Sequence, residues 1–186
     1  MRALIIPGNG CPPFPKSIAS CNFYGHLQCK LQESKLFDEV IACSMPDPLA
    51  ARRSIWVPHI INEVKVNAET ILIGHSSGAE CAMRIAEEEK LAGIVLVSAC
   101  VSDLGDAGER ASGWYPPSGG PWKWDMIKRN AGWRMQFYST DDCFINAQEA
   151  HDVRDALQTE YFEFNDRNHF FEPFDEIVDE IIRKVS

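Results

Sequence analysis

Short apolar runs alternate with helix-length segments along most of the chain, and this alternation is the feature that most restricts its fold. The strand-like runs cover residues 3–6, 39–43, 70–73, 93–97, 134–138 and 161–164. Helical patterns cover about 23–32, 53–64, 78–90 and 147–157. Each right-handed crossover between parallel strands places its helix against the sheet, so the strands are buried on both faces. We therefore predict an α/β protein with a mostly parallel sheet of about six strands.

The last segment of the chain has the clearest helical periodicity. Its apolar residues lie at the spacing of one helical face, and they are Phe174, Ile177, Val178, Ile181, Ile182 and Val185. Pro173 suits a first helical turn, and the acidic Asp175 and Glu176 favour the positive end of the helix dipole. We predict a final helix over 173–185.

Length, charge and hydropathy limit the domain organisation and the partners. The 186 residues, 45% of them hydrophobic, suit one domain over 1–186. A formal charge of −9 makes nucleic acid and membrane surfaces unexpected partners, because phosphate contacts need clustered Lys and Arg. No apolar run reaches the roughly 18 residues of a membrane span, and the start of the chain lacks a signal-peptide core. We expect a soluble, cytoplasmic protein, and the nucleus stays open as a second location.

The cysteines and histidines do not indicate a cofactor. The seven cysteines are an odd number without a CxxC pair, and neither they nor the five histidines have the spacing of a metal site. We expect reduced thiols that pack as small apolar side chains, and no metal or organic cofactor.

The sequence Gly-His-Ser-Ser-Gly over 74–78 lies between a strand pattern and a helix pattern, which is the setting of a nucleophile elbow. Gly74 and Gly78 leave room for a sharp turn against neighbouring backbone. The spacing selects Ser76 as the nucleophile and the backbone N–H of Ser77 as an oxyanion donor. A serine-rich helix cap or a phosphate-binding turn is the alternative.

A serine nucleophile of this kind needs a base later in the chain. His26 and His59 lie well before Ser76 in the sequence. His75 is the direct neighbour of the serine, and His151 lies in a helical pattern. His169 remains, in a loop after the last strand, where a parallel sheet delivers side chains to its carboxyl edge. Taken alone, His169 is also compatible with a packed or surface imidazole.

The acid is expected after the fifth strand, where Asp141 and Asp142 are adjacent. Asp142 begins an Asp-x-x-aliphatic pattern that ends at Ile145, as in the turn that follows the acid of many such hydrolases. We therefore favour Asp142 as the acid and expect Asp141 to cap the turn.

Two loops are expected to complete the site. The loop over 7–11 occupies the usual place of the second oxyanion donor, and its candidates are Asn9, Gly10 and Cys11. The longest irregular segment, 103–125, holds four aromatic rings, which are Trp114, Tyr115, Trp122 and Trp124. We expect some of these rings, Trp122 and Trp124 among them, to wall the substrate pocket. The alternatives are a plain tight turn in the first loop and rings that only seal the core in the second.

Several short motifs occur together and in order: PGNG, MPDP, RSIW, GHSSGA, VLVSA, SDLGD, ERASG, PWKW and STDD. Together they resemble the small α/β-hydrolase-fold serine hydrolases of the retinoblastoma-binding protein nine type, over nearly the whole chain. The resemblance implies a minimal version of that fold without a large lid domain. It also implies a triad of Ser76, His169 and Asp142.

The resemblance further implies hydrolysis of small ester or peptide-like amide substrates through an acyl-enzyme. The vertebrate member binds the retinoblastoma protein through a Leu-x-Cys-x-Glu segment, whereas residues 64–68 of this chain read VKVNA. We therefore do not expect retinoblastoma protein binding. The first-strand loop also differs, with Cys11, Pro12 and Pro13 in place of glycines. A non-catalytic interaction module that keeps the fold is the alternative function.

Overall fold

The computed structural model describes residues 1–11 and 18–186, so Pro12 and Pro13 of the first-strand loop lie outside the described residues. The strands are β1 (Arg2–Ile6), β2 (Glu39–Ala42), β3 (Thr70–His75), β4 (Gly93–Val97), β5 (Arg134–Ser139) and β6 (Glu160–Phe164). They form one sheet in the order β2-β1-β3-β4-β5-β6, and every adjacent pair is parallel. The predicted α/β fold with a six-stranded parallel sheet is confirmed.

Seven α-helices cover the described parts of the chain. They are α1 (Tyr24–Glu33), α2 (Arg53–Pro58), α3 (Ser77–Ala86), α4 (Ala107–Ser112), α5 (Trp124–Asn130), α6 (Ala147–Leu157) and α7 (Asp175–Val185). A short 3-10 helix covers Ile18–Ser20, and a π-helix covers His59–Lys65. None of these helices combines the length and the apolar character needed to cross a membrane.

Two apolar cores lie on opposite faces of the sheet, because successive strand residues point to opposite sides. In β3, Ile71 and Ile73 face the core formed with α1 and α7, whereas Leu72 faces the core formed with α2, α3, α5 and α6. The strands therefore read as continuous apolar runs, as the sequence pattern indicated.

Three helical segments differ from the sequence prediction. Pro58 has no N–H to donate, and the predicted helix over 53–64 changes there from α-helical to π-helical bonding. Helix α3 ends at Ala86 instead of continuing to residue 90. The residues after Ala86 are three successive glutamates, whose carboxylates disfavour the negative end of a helix dipole. The stretch 103–125 is less irregular than expected, because it contains α4.

The position of β1 creates the place where a ligand is expected in a fold of this kind. Strand β2 lies on one side of β1 and β3 lies on the other, so the direction of winding reverses there. The loop after β1 and the turn after β3 consequently lie side by side at the carboxyl edge of the sheet. Open α/β sheets bind ligands in the crevice at such a reversal point.

Candidate active site

Ser76 occupies a sharp turn between β3 and α3, with φ 52° and ψ −127°. A residue other than glycine adopts this conformation only when its surroundings hold it there. A Cβ atom on Gly74 would lie 2.2 Å from the carbonyl oxygen of Gly78, and one on Gly78 would lie 2.2 Å from that of Ile6. Both positions therefore need glycine, because the turn packs directly against backbone. The strand, turn and helix have the geometry of a nucleophile elbow.

His169 and Asp142 form a buried pair beside this turn. Both carboxylate oxygens of Asp142 lie 2.9 Å from Nδ1 of His169. The side chain of Asp142 is fully buried, and that of His169 is 6% exposed. A carboxylate only accepts hydrogen bonds, so Nδ1 of His169 carries the proton and Nε2 is left as the basic nitrogen.

Further donors hold the carboxylate of Asp142 in its ionised form. The hydroxyl of Ser98 donates to Oδ2 over 2.7 Å, and the amides of Phe144 and Ile145 donate to Oδ1 over 2.9 and 3.0 Å. Burial acts to raise the pKa of Asp142, but the hydrogen bond and charge of His169 and the two amides outweigh it. The pKa of Asp142 therefore lies below its ordinary value, and the group is a carboxylate at neutral pH.

Asp141 forms its hydrogen bonds with other groups and supports the loop that carries His169. Its Oδ1 accepts hydrogen bonds from the hydroxyl of Ser139 over 2.5 Å and from the amide of Asn168 over 2.9 Å. The same Ser139 hydroxyl accepts from the amide of Arg167 over 3.1 Å. The two adjacent aspartates thus have different surroundings, and only Asp142 contacts His169.

Ser76 and His169 line one cleft of about 600 Å³ at the carboxyl edge of the sheet. The apolar side chains that line the cleft are those of Leu104, Phe144, Ile145 and Phe171. The same cleft is also lined by Glu80, Glu109 and Tyr115. Burial raises the pKa of both glutamates, so their uncharged forms are favoured relative to ordinary carboxylates.

The loop after β1 contributes fewer candidate oxyanion donors than the sequence suggested. The amide of Gly10 donates to the carbonyl oxygen of Pro48 over 2.8 Å, which corrects the expectation that this amide is available to a ligand. Asn9 lines the cleft, and Cys11 does not. The amide of Ser77 stands at the first position of α3, immediately after Ser76.

The aromatic rings of 103–125 are distributed differently from the prediction. Trp122 and Trp124 stack on each other with ring centroids 5.3 Å apart, and they pack against the core instead of lining the cleft. This corrects the expectation for these two rings. The guanidinium of Arg84 covers Trp122 at 3.8 Å, which fixes the ring there. Trp114 is fully buried, so Tyr115 is the ring of this segment that lines the cleft.

Phe144 and Phe171 line the cleft, although sequence reasoning did not single them out. Their side chains are 61% and 43% exposed, which is unusual for rings of this size. Their ring centroids lie 4.9 and 5.6 Å from that of His169. In the sequence, only the position of Phe144 within its turn indicates that its ring is exposed. The turn buries the side chains of its first residue, Asp142, and its last residue, Ile145, so that Phe144 between them faces outwards.

Several known proteins are similar to this chain, some in sequence and others in fold alone. Residues 23–173 match the family model described as serine hydrolase. The rat (Rattus norvegicus) protein named serine hydrolase RBBP9 is 43% identical over 169 residues, covering 91% of this chain and 87% of the rat protein. The solved structure of the Bacillus subtilis ydeN gene product superposes with a TM-score of 0.80 at 20% identity and covers 99% and 97% of the two chains. A meta-cleavage product hydrolase from Pseudomonas fluorescens gives a TM-score of 0.65 at 15% identity, covering 99% and 88%.

The parallel sheet and the elbow define an α/β hydrolase. The family match and the similarity to the rat relative go further, and the chain belongs to the serine hydrolase family. This membership favours an enzyme over the alternative of a non-catalytic interaction module.

Proposed function

We propose that this enzyme cleaves small ester or amide substrates through an acyl-enzyme, with Ser76 as nucleophile, His169 as base and Asp142 as the orienting acid. The observation that carries the proposal is the shared cleft of Ser76 and His169, with His169 held by the buried carboxylate of Asp142.

The proposed reaction follows the usual course of acyl transfer. Nε2 of His169 takes the proton of the Ser76 hydroxyl while Oγ attacks the substrate carbonyl carbon, which gives a tetrahedral oxyanion. The protonated His169 then gives this proton to the leaving oxygen or nitrogen, and the acyl group stays on Ser76. A water molecule, deprotonated by His169, releases the acid and restores the serine. The carboxylate of Asp142 keeps the imidazole in the correct tautomer throughout.

Two amides are the proposed oxyanion donors, namely those of Ser77 and Asn9. The first follows the nucleophile at the start of α3, and the second belongs to the β1 loop that lines the cleft. The amides of Gly8 and Gly10 already donate to the Tyr24 hydroxyl and the Pro48 carbonyl oxygen. Asn9 is therefore the preferred donor of this loop.

The dimensions of the cleft support small substrates. A cleft of about 600 Å³ falls in the range of pockets that enclose one small molecule. The rings of Phe144 and Phe171 next to His169 offer apolar surface to one part of a short ester or amide. Glu80 and Glu109 offer polar groups to the rest of the substrate in the same cleft. Long-chain lipids have no matching apolar channel among the residues that line this cleft.

Covalent labelling with a fluorophosphonate probe at neutral pH tests the proposal. We expect the wild-type protein to be labelled on Ser76, and Ser76→Ala to lose both the label and the hydrolysis of aryl esters. Ser77→Ala is the matched control, because it removes the adjacent hydroxyl but keeps the backbone N–H. Folded wild-type protein that takes no label and hydrolyses no ester or amide would support the interaction-module function instead. Labelling that persists in Ser76→Ala would show that another residue is the nucleophile.

A further inference from the structure

A chain of buried hydrogen bonds runs from the β1 loop through the elbow to the loop of His169. The amide of Gly8 donates to the Tyr24 hydroxyl oxygen over 3.0 Å. The Tyr24 hydroxyl lies 2.6 Å from Nδ1 of His75, and Nε2 of His75 lies 2.9 Å from the carbonyl oxygen of His169. His75 and Tyr24 have almost no exposed surface, so these hydrogen bonds are shielded from water.

The donor and the acceptor of each of these hydrogen bonds follow from the chemistry of the groups that form them. The carbonyl oxygen of His169 can only accept, so Nε2 of His75 carries a proton. Burial, together with the neighbouring charge of His169, lowers the pKa of His75 to about 3, so the ring is neutral and Nδ1 is an acceptor. The Tyr24 hydroxyl therefore donates to Nδ1. Its oxygen accepts from the amide of Gly8 and from Nδ2 of Asn22, the latter over 3.2 Å.

These bonds occupy both ring nitrogens of His75, which prevents it from acting as a second base for Ser76. They also join three loops that the sheet alone leaves independent. A Cβ atom on Gly8 would lie 3.1 Å from Cβ of Ser76, so the β1 loop approaches the nucleophile closely. At the other end, the two neighbours of His169, Asn168 and Phe170, have φ values of 48° and 53°, a conformation that non-glycine residues keep when surrounding contacts hold it.

We propose that His75 is a positioning residue that, together with Tyr24, fixes the distance between the oxyanion-binding β1 loop and the loop of His169. This inference rests on the proposed function of Ser76 and His169. Acyl transfer needs the oxyanion donor at Asn9 and the base at His169 to be correctly positioned at the same time relative to the nucleophile. His75 is connected to both loops through its hydrogen bonds, and in this role it does not contact the substrate carbonyl itself.

Two substitutions of His75 separate its two bonds. A glutamine side chain places its amide near the position of Nε2 and can still donate to the carbonyl oxygen of His169. An asparagine side chain reaches only the position of Nδ1, where its oxygen can accept from Tyr24. We expect kcat of His75→Gln to fall about tenfold, as for one lost hydrogen bond, and that of His75→Asn to fall about 10²-fold. We expect KM for a small aryl ester to change less than about threefold in both, since neither bond touches the substrate.

Tyr24→Phe is the second test, because it keeps the packed ring and removes only the hydroxyl. We expect kcat to fall about tenfold with KM nearly unchanged and with a native circular dichroism spectrum. The rate of fluorophosphonate labelling at Ser76 should fall in parallel, because the probe uses the same nucleophile and the same oxyanion donors.

The outcomes distinguish this inference from the proposed function. If Ser76→Ala loses labelling and activity, but His75→Asn, His75→Gln and Tyr24→Phe all turn over like the wild type, the positioning role is wrong and the triad stands. If the two His75 variants lose kcat equally while both stay folded, the bond to the carbonyl oxygen of His169 has no special role, and the inference also fails. If Ser76→Ala keeps its activity, the proposed function fails first.

Discussion

The carboxylate of Asp142 lies with both oxygens 2.9 Å from Nδ1 of His169, whereas the adjacent carboxylate of Asp141 bonds to Ser139 and Asn168. Although the two aspartates are adjacent in the sequence, Asp142 contacts the imidazole and Asp141 supports the loop that carries it.

Replacement of each aspartate by asparagine should separate these two roles. In Asp142→Asn the new amide can donate to Nδ1 and stabilise the wrong tautomer of His169, so we expect kcat to fall by up to about 10⁴-fold. In Asp141→Asn the side-chain oxygen can still accept from the amide of Asn168, so we expect less than about a tenfold loss. Steady-state kinetics on one aryl ester would measure both. Equal losses in the two variants would contradict the assignment of Asp142.

Much of this site could be predicted from order along the chain. The carboxyl ends of parallel strands meet at one edge, so residues after β3, β5 and β6 converge whatever the loop details. The aliphatic residue at Ile145 was enough to favour Asp142 over Asp141. By contrast, the bond between the Gly10 amide and the carbonyl oxygen of Pro48 joins two loops distant in sequence, and no local pattern indicates it.

The sequence of 103–125 contains indications of a helix, but other residues of the segment favoured an irregular loop. Asp106 caps α4 by accepting from the amide of Glu109 over 2.9 Å, and Gly113 ends the helix with φ 81°. Both residues are ordinary helix boundaries, yet the surrounding glycines, prolines and tryptophans favoured an irregular segment. Trp122 packs under the guanidinium of Arg84, which lies in α3, far from Trp122 in the sequence. The periodicity of the sequence does not predict contacts between residues so far apart along the chain.

The close approach of backbone at the elbow predicts a large effect of one methyl group. In Gly78→Ala the added Cβ would meet the carbonyl oxygen of Ile6 at 2.2 Å, and β1 and α3 would have to separate. We expect the free energy of unfolding to fall by about 3 kcal/mol or more, the upper end for overpacking. Gly108→Ala in α4 is the matched control. Its Cβ would have only Asp106 Oδ1 nearby, at 3.1 Å, and the helix gains propensity, so we expect a change below about 1 kcal/mol. Urea unfolding would compare them, and similar losses would contradict the packing argument.

The buried neutral His75 predicts a specific dependence of stability on pH. Its pKa is lowered to about 3 by burial and by His169, with Asp142 opposing, whereas an unfolded histidine titrates near 6.5. Between these values the unfolded chain binds the additional proton, so stability falls as the pH falls from about 6.5 towards 3. His75→Gln lacks this titration. The difference in unfolding free energy between wild type and variant should therefore decrease by about 2 kcal/mol between pH 7 and pH 5. Denaturant unfolding at the two pH values measures it, and a constant difference would mean that His75 is not buried in its neutral form.

The last prediction concerns the leaving group, and it follows from the two exposed rings beside His169. In the proposed mechanism His169 gives its proton to the leaving atom, so the leaving group must lie next to the imidazole. Phe144 and Phe171 occupy that side of the cleft, and their ring centroids are 6.4 Å apart in an edge-to-face arrangement. An aromatic leaving group can bury its surface against these rings, whereas a methyl leaving group is too small to do so.

We expect Phe144→Ala to lower kcat/KM for a phenyl ester more than for the methyl ester of the same acid, by roughly 0.5 to 1.5 kcal/mol, or about 2- to 13-fold. The ratio of variant to wild type removes the intrinsic difference in reactivity between the two esters. Leu36→Ala is the matched control, because Leu36 is another exposed apolar residue, 39% exposed, and it does not line the cleft. Phe171→Ala should follow Phe144→Ala in direction. If Phe144→Ala lowers the rates of both esters by the same factor, this ring affects only the orientation of His169, and the leaving group binds elsewhere in the cleft.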